Sequence, residues 1–418
     1  MDLKTSVSAE KGNVSPIRTG DRIFVIDGLR GFALFGILVV NMSFFHSPSI
    51  YLMMSDTVWW TGFWDQAAER FVYLFAEGNF YTLFSLLFGF GMILFMERVQ
   101  QKGSSFVPLY ARRLMILLFF GLVHALLIWY GDILFSYALL GFVLLLFRRC
   151  SPQTLLVWAL ILLLMTMLLF GVLAGLTFYT ETLPERSEEG NAFEEWIQSM
   201  IQSSVAAYGS GSFAEITQQR ATDWLFLISW SVIGFWPIIL AMFLLGAYVA
   251  KRRILHDIPT NLPLIRHIWC WSLILALATV LLQGMEPFLG FTSDSAAILF
   301  MMVETVIGNP ATCLFYASSL VLLLQRERWV RRLSFFRDVG RMSLSNYLMQ
   351  SLICTTLFYS YGFGWYGKVG PLGGLGLAVL IFAAQAVISR FWLKKFRFGP
   401  MEWVWRSLTY GRRQPFRI

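Results

Sequence analysis

Residues 154–179 read TLLVWALILLLMTMLLFGVLAGLTFY, 26 consecutive positions without a charged side chain. At 1.5 Å per residue a helix of that length rises roughly 39 Å, enough to cross the ~30 Å hydrocarbon core of a bilayer with some tilt. Working outward, apolar runs of spanning length recur near 31–49, 71–96, 113–130 and 133–148 on one side, and near 224–250, 267–284, 296–325, 343–361 and 371–392 on the other. The chain therefore reads as an all-α polytopic membrane protein of about ten transmembrane helices.

Composition agrees. Of the 418 residues 57% are hydrophobic and 14% charged, against roughly 25% charged in soluble domains. The net charge of +8 does not point to nucleic acid, because the basic residues sit in short clusters between apolar runs. With both termini placed in the cytoplasm, all of the 33 Lys and Arg except Arg70, Arg186, Arg220 and Lys368 fall in inner segments or at inner helix ends. That is the positive-inside bias, and it predicts a multi-pass protein of the cytoplasmic (inner) membrane. The polar start argues against a cleavable signal peptide. Cys150, Cys270, Cys313 and Cys354 lie in or beside apolar runs, without the spacing of a metal site or disulfide framework.

The organisation that follows is a cytoplasmic tail at 1–30, a single transmembrane domain at 31–392 and a cytoplasmic interfacial tail at 393–418. Between the fifth and sixth helices the outer loop 180–223 repeats Phe193, Trp196, Ile197 and Ile201 at helical spacing, which predicts an amphipathic helix at the interface. In the closing tail Phe396, Phe398, Trp403 and Trp405 alternate with Lys394, Lys395, Arg397 and Arg406, a mixture suited to the headgroup region.

Polar side chains inside spans cost free energy unless they face protein or water, so they are the candidates for function. Arg30 stands at the inner mouth of the first helix beside Asp27, and Asn41 lies eleven residues further, roughly 16 Å deeper. Arg30 is either a cation for an arriving anion or Asp27's partner at the helix start. Glu77, in Glu77-Gly78-Asn79, falls in the outer half of the second span or at its water interface. His124 is followed across a short outer turn by Asp132, a spacing that lets the carboxylate fix the imidazole tautomer and raise its basicity. The pair is the best acid–base candidate in the chain, with an interhelical hydrogen bond as the plainer alternative. Glu304 precedes Gly308-Asn309-Pro310, where proline breaks the helix ladder. Arg341 opens the ninth helix, and Asn346 and Gln350, four apart, share one of its faces, lining a polar path or joining helices. Walker, dinucleotide, HExxH and GxSxG motifs are absent from the sequence.

Five stretches carry a family likeness: IDGLRGFALFGILVVN at 26–41, GNFYTLFSLLFGFG at 78–91, GLVHALLIWYGDILFSYALLG at 121–141, VGRMSLSNYLMQSLICTTLFY at 339–359 and FRFGPMEWVWRSLTYGR at 396–412. Together, and in this order, they resemble the YeiB-like, domain-of-unknown-function 418 family of bacterial membrane proteins, a family often labelled as involved in transport. The Leu-Arg-Gly opening of the first helix is more distantly similar to transmembrane acyltransferases of the heparan-α-glucosaminide acetyltransferase and acyltransferase-3 types. That resemblance implies an acyl group passed from cytoplasmic acyl-CoA to an acceptor on the far side. In the acyltransferase-3 pattern a catalytic His follows the Arg by eleven positions; here Asn41 holds that place, and His124 is the substitute.

The resulting expectation is an acyltransferase-like protein in which Arg30 and Arg341 receive the donor and His124, assisted by Asp132, activates an acceptor hydroxyl or amine. Asn41, Asn346 and Gln350 would line the path. Acyl-CoA is a donor substrate in this reading, not a tightly bound cofactor; the bilayer and a small-molecule acceptor are the partners, and a homodimer follows by analogy with the heparan-type enzymes. The rival is a transporter or exporter of a small polar or anionic solute, with Glu77 or Glu304 carrying a coupling proton.

Overall fold

A computed structural model describes residues 24–55, 57–182, 186–289 and 293–418. The tail expected at 1–30 therefore falls largely outside the described residues. What is described of it is already helix: α1 spans Phe24–His46, so Asp27 and Arg30 lie within its first two turns. The helices that follow are α2 (Ser49–Leu52), α3 (Phe63–Phe75), α4 (Asn79–Gln101), α5 (Phe106–Val123), α6 (Leu134–Leu146), α7 (Pro152–Glu181), α8 (Arg186–Ser210) and α9 (Phe213–Gly234). Then come α10 (Trp236–Lys251), α11 (Ile258–Leu289), α12 (Asp294–Val303), α13 (Asn309–Leu323), α14 (Glu327–Arg332), α15 (Ser334–Gly340), α16 (Ser343–Phe358), α17 (Pro371–Lys395) and α18 (Pro400–Tyr410). No β-strand occurs among the described residues; two residues, Phe396 and Arg417, form an isolated bridge.

The chain is thus an all-α polytopic membrane protein. Seven helical stretches among the described residues are long and apolar enough to cross a bilayer, and α9 with α10, bent by 60°, makes an eighth. The segments read as spans at 133–148 and 343–361 form the 13-residue α6 and the 16-residue α16, about 20 and 24 Å long and shorter than the hydrocarbon core. α6 continues beyond Leu146 only as a 3-10 turn at Phe147–Arg149. Residues before Leu134 leave the helix to place Asp132, and α16 stops at Phe358 before a turn-rich segment that runs to Gly370.

α1 runs through the middle, in contact with α4, α13, α15, α16 and α17. Its close approach to α15 depends on glycine: a methyl on Gly31 would overlap the Phe336 carbonyl, and one on Gly340 the Asp27 carbonyl. The same device joins α4 to α10, where Gly89 lies on the Phe243 backbone and Gly246 on that of Leu86. Lipid offers apolar helices no hydrophobic incentive to associate, so such small-residue seams, which let backbones touch, supply the packing. By contrast α7 turns Leu160, Leu164, Leu168, Val172 and Leu176 outward, each more than half exposed, as a lipid-facing helix does.

At the end of the bundle that holds His46, the amphipathic segment is the helix α8. Ile197 and Ile201 are buried, whereas Phe193 and Trp196 stay partly exposed on its rim. α8 packs on α9 and α2. At the opposite, basic end α18 caps α16. The Glu402 carboxylate accepts from the Leu344 and Ser345 N–H groups at 2.7 and 3.1 Å, anchoring the first turn of α16 from outside it. Burial pushes the Glu402 carboxyl up, and these hydrogen bonds hold it back.

Candidate functional site

His124 follows directly on α5, and the five residues from His124 to Ile128 form a π turn closed by Trp129 N–H donating to the His124 carbonyl at 2.8 Å. A π turn inserts an extra residue into the helix and re-aims the side chains around it. Here it is followed by non-helical backbone that returns Asp132 to the imidazole. Asp132 Oδ1 accepts from His124 Nδ1 at 2.9 Å, while Oδ2 accepts from the Phe135 N–H at 2.7 Å. Gly121 makes room, since a Cβ there would meet the Phe135 amide and stand 3.0 Å from Asp132 Oδ2. With the proton on Nδ1, Nε2 is an acceptor. Its partner is the hydroxyl of Ser351 on α16, at 2.9 Å.

Ser351, His124 and Asp132 therefore form one line of hydrogen bonds, with the His124 and Asp132 side chains wholly shielded. Tyr347, one turn before Ser351, lays its ring 5.1 Å from the imidazole and donates its hydroxyl to the Gly131 carbonyl at 3.3 Å. Tyr347 and Gly131 also line a cavity of about 100 Å³, together with Asn41, Val40, Gly78 and Tyr81. The histidine thus lies one layer behind the cavity wall, with Tyr347 in that layer. An imidazole oriented by a carboxylate and facing a hydroxyl is equipped to withdraw that hydroxyl's proton.

Asn41 reaches the cavity. Glu77 and Glu304 do not; they meet in a second, smaller polar space with Asn79, Thr279, Gln283, Asn309 and Thr312. Two interrupted helices make it. α3 and α4 are parted at Ala76–Gly78, where Gly78 has φ +72° against Asn309, and α12 and α13 are parted by a π turn at Glu304–Gly308. The span read as 71–96 is accordingly two helices with Glu77 in the break.

Asn346 and Gln350 line neither space. Asn346 Nδ2 donates to the Val339 carbonyl at 3.2 Å and Ser389 Oγ at 3.0 Å, and Gln350 donates to Gln385 Oε1 at 2.9 Å. Gln385 in turn donates to the Asn346 carbonyl at 2.9 Å, so the shared amide face of α16 joins it to α17. Arg30 pairs with Asp27 at 3.1 Å and keeps a side chain 30% exposed at the basic mouth. Arg341 stands near the same Asp27; burial lowers its proton affinity, opposed by Asp27 and Asp338. Among the described residues no three of His, Cys, Asp and Glu converge as a metal site would require.

Sequence reasoning paired His124 with Asp132 but missed Ser351, which lies 227 positions from His124 and carries no local mark except its place four residues after Tyr347. It also left Arg220 among the outer basic residues, although its side chain is fully buried.

Fold and site together define a polytopic helical membrane protein with an enclosed Ser–His–Asp array. Comparison with known proteins gives its kinship. The family described as protein of unknown function, DUF418, matches residues 249–412. The uncharacterized protein YxaH of Bacillus subtilis (strain 168) is 41% identical over 419 residues, covering 96% of this chain and 98% of its own. An uncharacterized 39.9 kDa protein from the amylase 3′ region of Bacillus acidopullulyticus is 28% identical (96% and 98% covered), and the uncharacterized protein YeiB of Escherichia coli (strain K12) 27% (93% and 96%). The chain belongs to this YeiB-like DUF418 family.

Proposed function

We propose that the protein is a transmembrane acyltransferase of the cytoplasmic membrane, in which His124 is the general base, Asp132 orients it, and Ser351 carries the acyl group between donor and acceptor. The observation that carries this reading is the Ser351–His124–Asp132 hydrogen-bond line. The donor, an acyl-CoA, approaches from the cytoplasm at Arg30 and Arg341, whose guanidinium groups suit phosphate. In the first step Ser351 Oγ gives its proton to His124 Nε2 and forms an ester bond with the acyl carbon. The carbon–sulfur bond breaks, and the thiolate leaves with the proton from His124. In the second step an acceptor hydroxyl or amine gives its proton to His124 and attacks the ester carbon. The bond to Ser351 Oγ breaks and the serine recovers its proton. Tyr347 separates the array from the cavity, so its ring must turn for substrate to reach Ser351.

The test is acyl-CoA binding to the purified protein in detergent, with Arg30→Ala as comparison. Saturable binding weakened ten-fold or more in the variant supports donor entry at Arg30. A folded wild-type protein that binds no acyl-CoA contradicts the proposal.

A second reading, a transporter of a small polar or anionic solute, is favoured by one observation. Two helix breaks, at Ala76–Gly78 and Glu304–Gly308, meet at a polar space holding Glu77 and Glu304, an arrangement found where transporters bind substrate or coupling ion. Uptake or efflux by proteoliposomes, lost on Glu304→Gln, would support it.

A further inference from the structure

Arg220 lies in the second turn of α9, and none of its surface reaches solvent. One guanidinium nitrogen, Nη1, donates at 3.0 Å to the carbonyl of Leu126, inside the π turn that carries His124. The other two, Nε and Nη2, are buried without an acceptor. These two nitrogens form the side-on edge of the guanidinium, whose parallel N–H groups match two oxygens of a carboxylate or phosphate.

Asp223, one turn further along α9, does not pair with that edge. Its Oδ1 accepts from the Tyr51 hydroxyl at 2.7 Å and the Gln219 amide at 2.8 Å, and its Oδ2 from the Tyr208 hydroxyl at 2.5 Å. Its charge acts on Arg220 only through space. A further idle group stands close by. The Phe213 and Tyr359 rings lie 6.0 and 5.9 Å from the guanidinium, and the buried Tyr359 hydroxyl has no partner. Buried polar groups are almost always satisfied, so idle donors gathered in one place call for a ligand.

We propose that Arg220 and Tyr359 form a binding site for an oxyanion group, a carboxylate or a phosphate, at the His46 end of the bundle. Nε and Nη2 hold two of its oxygens, and the Tyr359 hydroxyl donates to it. The site is closed by α8, α9 and the segment after α16, which are stitched together where Ser360 N–H donates to the Tyr208 carbonyl at 2.8 Å. A ligand enters when this cover lifts. Because Nη1 holds the Leu126 carbonyl, two residues from His124, an occupied site fixes the π turn from behind. Binding requires no acyl donor and stands or falls separately from acyl transfer; within that reaction it would anchor an acidic acceptor.

The experiment titrates acetate, inorganic phosphate and phosphatidylglycerol, each separately, into the purified full-length protein in neutral detergent at constant ionic strength. Tryptophan fluorescence is the readout, since Trp129 and Trp224 flank the bonded elements. The expected result is a saturable response to at least one of the three. Affinity should fall ten-fold or more in Arg220→Lys, which keeps the charge but lacks the fork, and several-fold in Tyr359→Phe. A response to phosphatidylglycerol alone assigns the anion to a lipid headgroup; a response to acetate or phosphate assigns it to a free solute. Two results overturn the proposal: no saturable response from folded wild-type protein, or undiminished affinity in a folded Arg220→Lys variant. Should Arg220→Lys fail to fold, wild type and Tyr359→Phe decide, and undiminished affinity in folded Tyr359→Phe overturns the proposal.

Discussion

At the scale of single residues, the proposed acyl transfer rests on the tautomer of one imidazole. Asp132 holds the proton on Nδ1, leaving Nε2 to accept from Ser351. Asp132→Asn preserves the shape but offers an amide that can present its N–H to the ring and reverse the tautomer. The expected outcome is a fall in acyl transfer of roughly 10²–10⁴-fold with little change in melting temperature, measured by single-turnover transfer on the purified variant. The His124–Asp132 pairing was legible in the sequence because the two are eight positions apart across a tight turn. Ser351 was not: its partnership depends on how α16 packs against the end of α5, and no local pattern encodes that. Nor was the burial of Arg220, since a charge in an outer loop ordinarily stays solvated, and the docking of α9 against the π turn at His124–Ile128 is not encoded locally.

At the scale of elements, the interruptions matter more than the helices. Long apolar runs announced α1, α4, α5, α7 and α17, because lipid requires backbone hydrogen bonds to close within each segment. Breaks were only partly announced. Pro310 marked the disruption at Glu304–Gly308 before α13, yet the π turn at His124–Ile128 has no signature beyond the polar residue that opens it. The short α6 and α16 read as spans because apolar residues continue past their ends. Gly78 shows why one break is fixed: it holds φ +72°, and a Cβ there would collide with the Asn309 side chain. Gly78→Ala combines left-handed strain with that overlap, so the expected loss is about 2–4 kcal/mol of stability. Thermal denaturation in detergent checks it, with Gly103→Ala as the comparison, because Gly103 shares the positive φ but has open space around its missing Cβ.

At the scale of the whole molecule, polar groups stand at separate levels of an apolar bundle. Arg30 and Arg341 stand at the basic mouth, Asn41 lines the cavity roughly 16 Å further along α1, and Tyr347 separates that cavity from the His124 array. The expectation of which side is inner rests on the distribution of Lys and Arg, a property of the sequence rather than of the packing. A covalent carrier placed between the two ends would let an acyl group cross without its water-soluble donor crossing. The most direct test of that account is to supply radiolabelled acyl-CoA to the cytoplasmic face of inside-out vesicles containing the protein, quench in acid, and locate label on the chain by peptide mass spectrometry. The account predicts label on Ser351, absent in Ser351→Ala and strongly reduced in His124→Ala. A protein that transfers acyl groups at the wild-type rate with Ser351→Ala, and never carries label there, would contradict it.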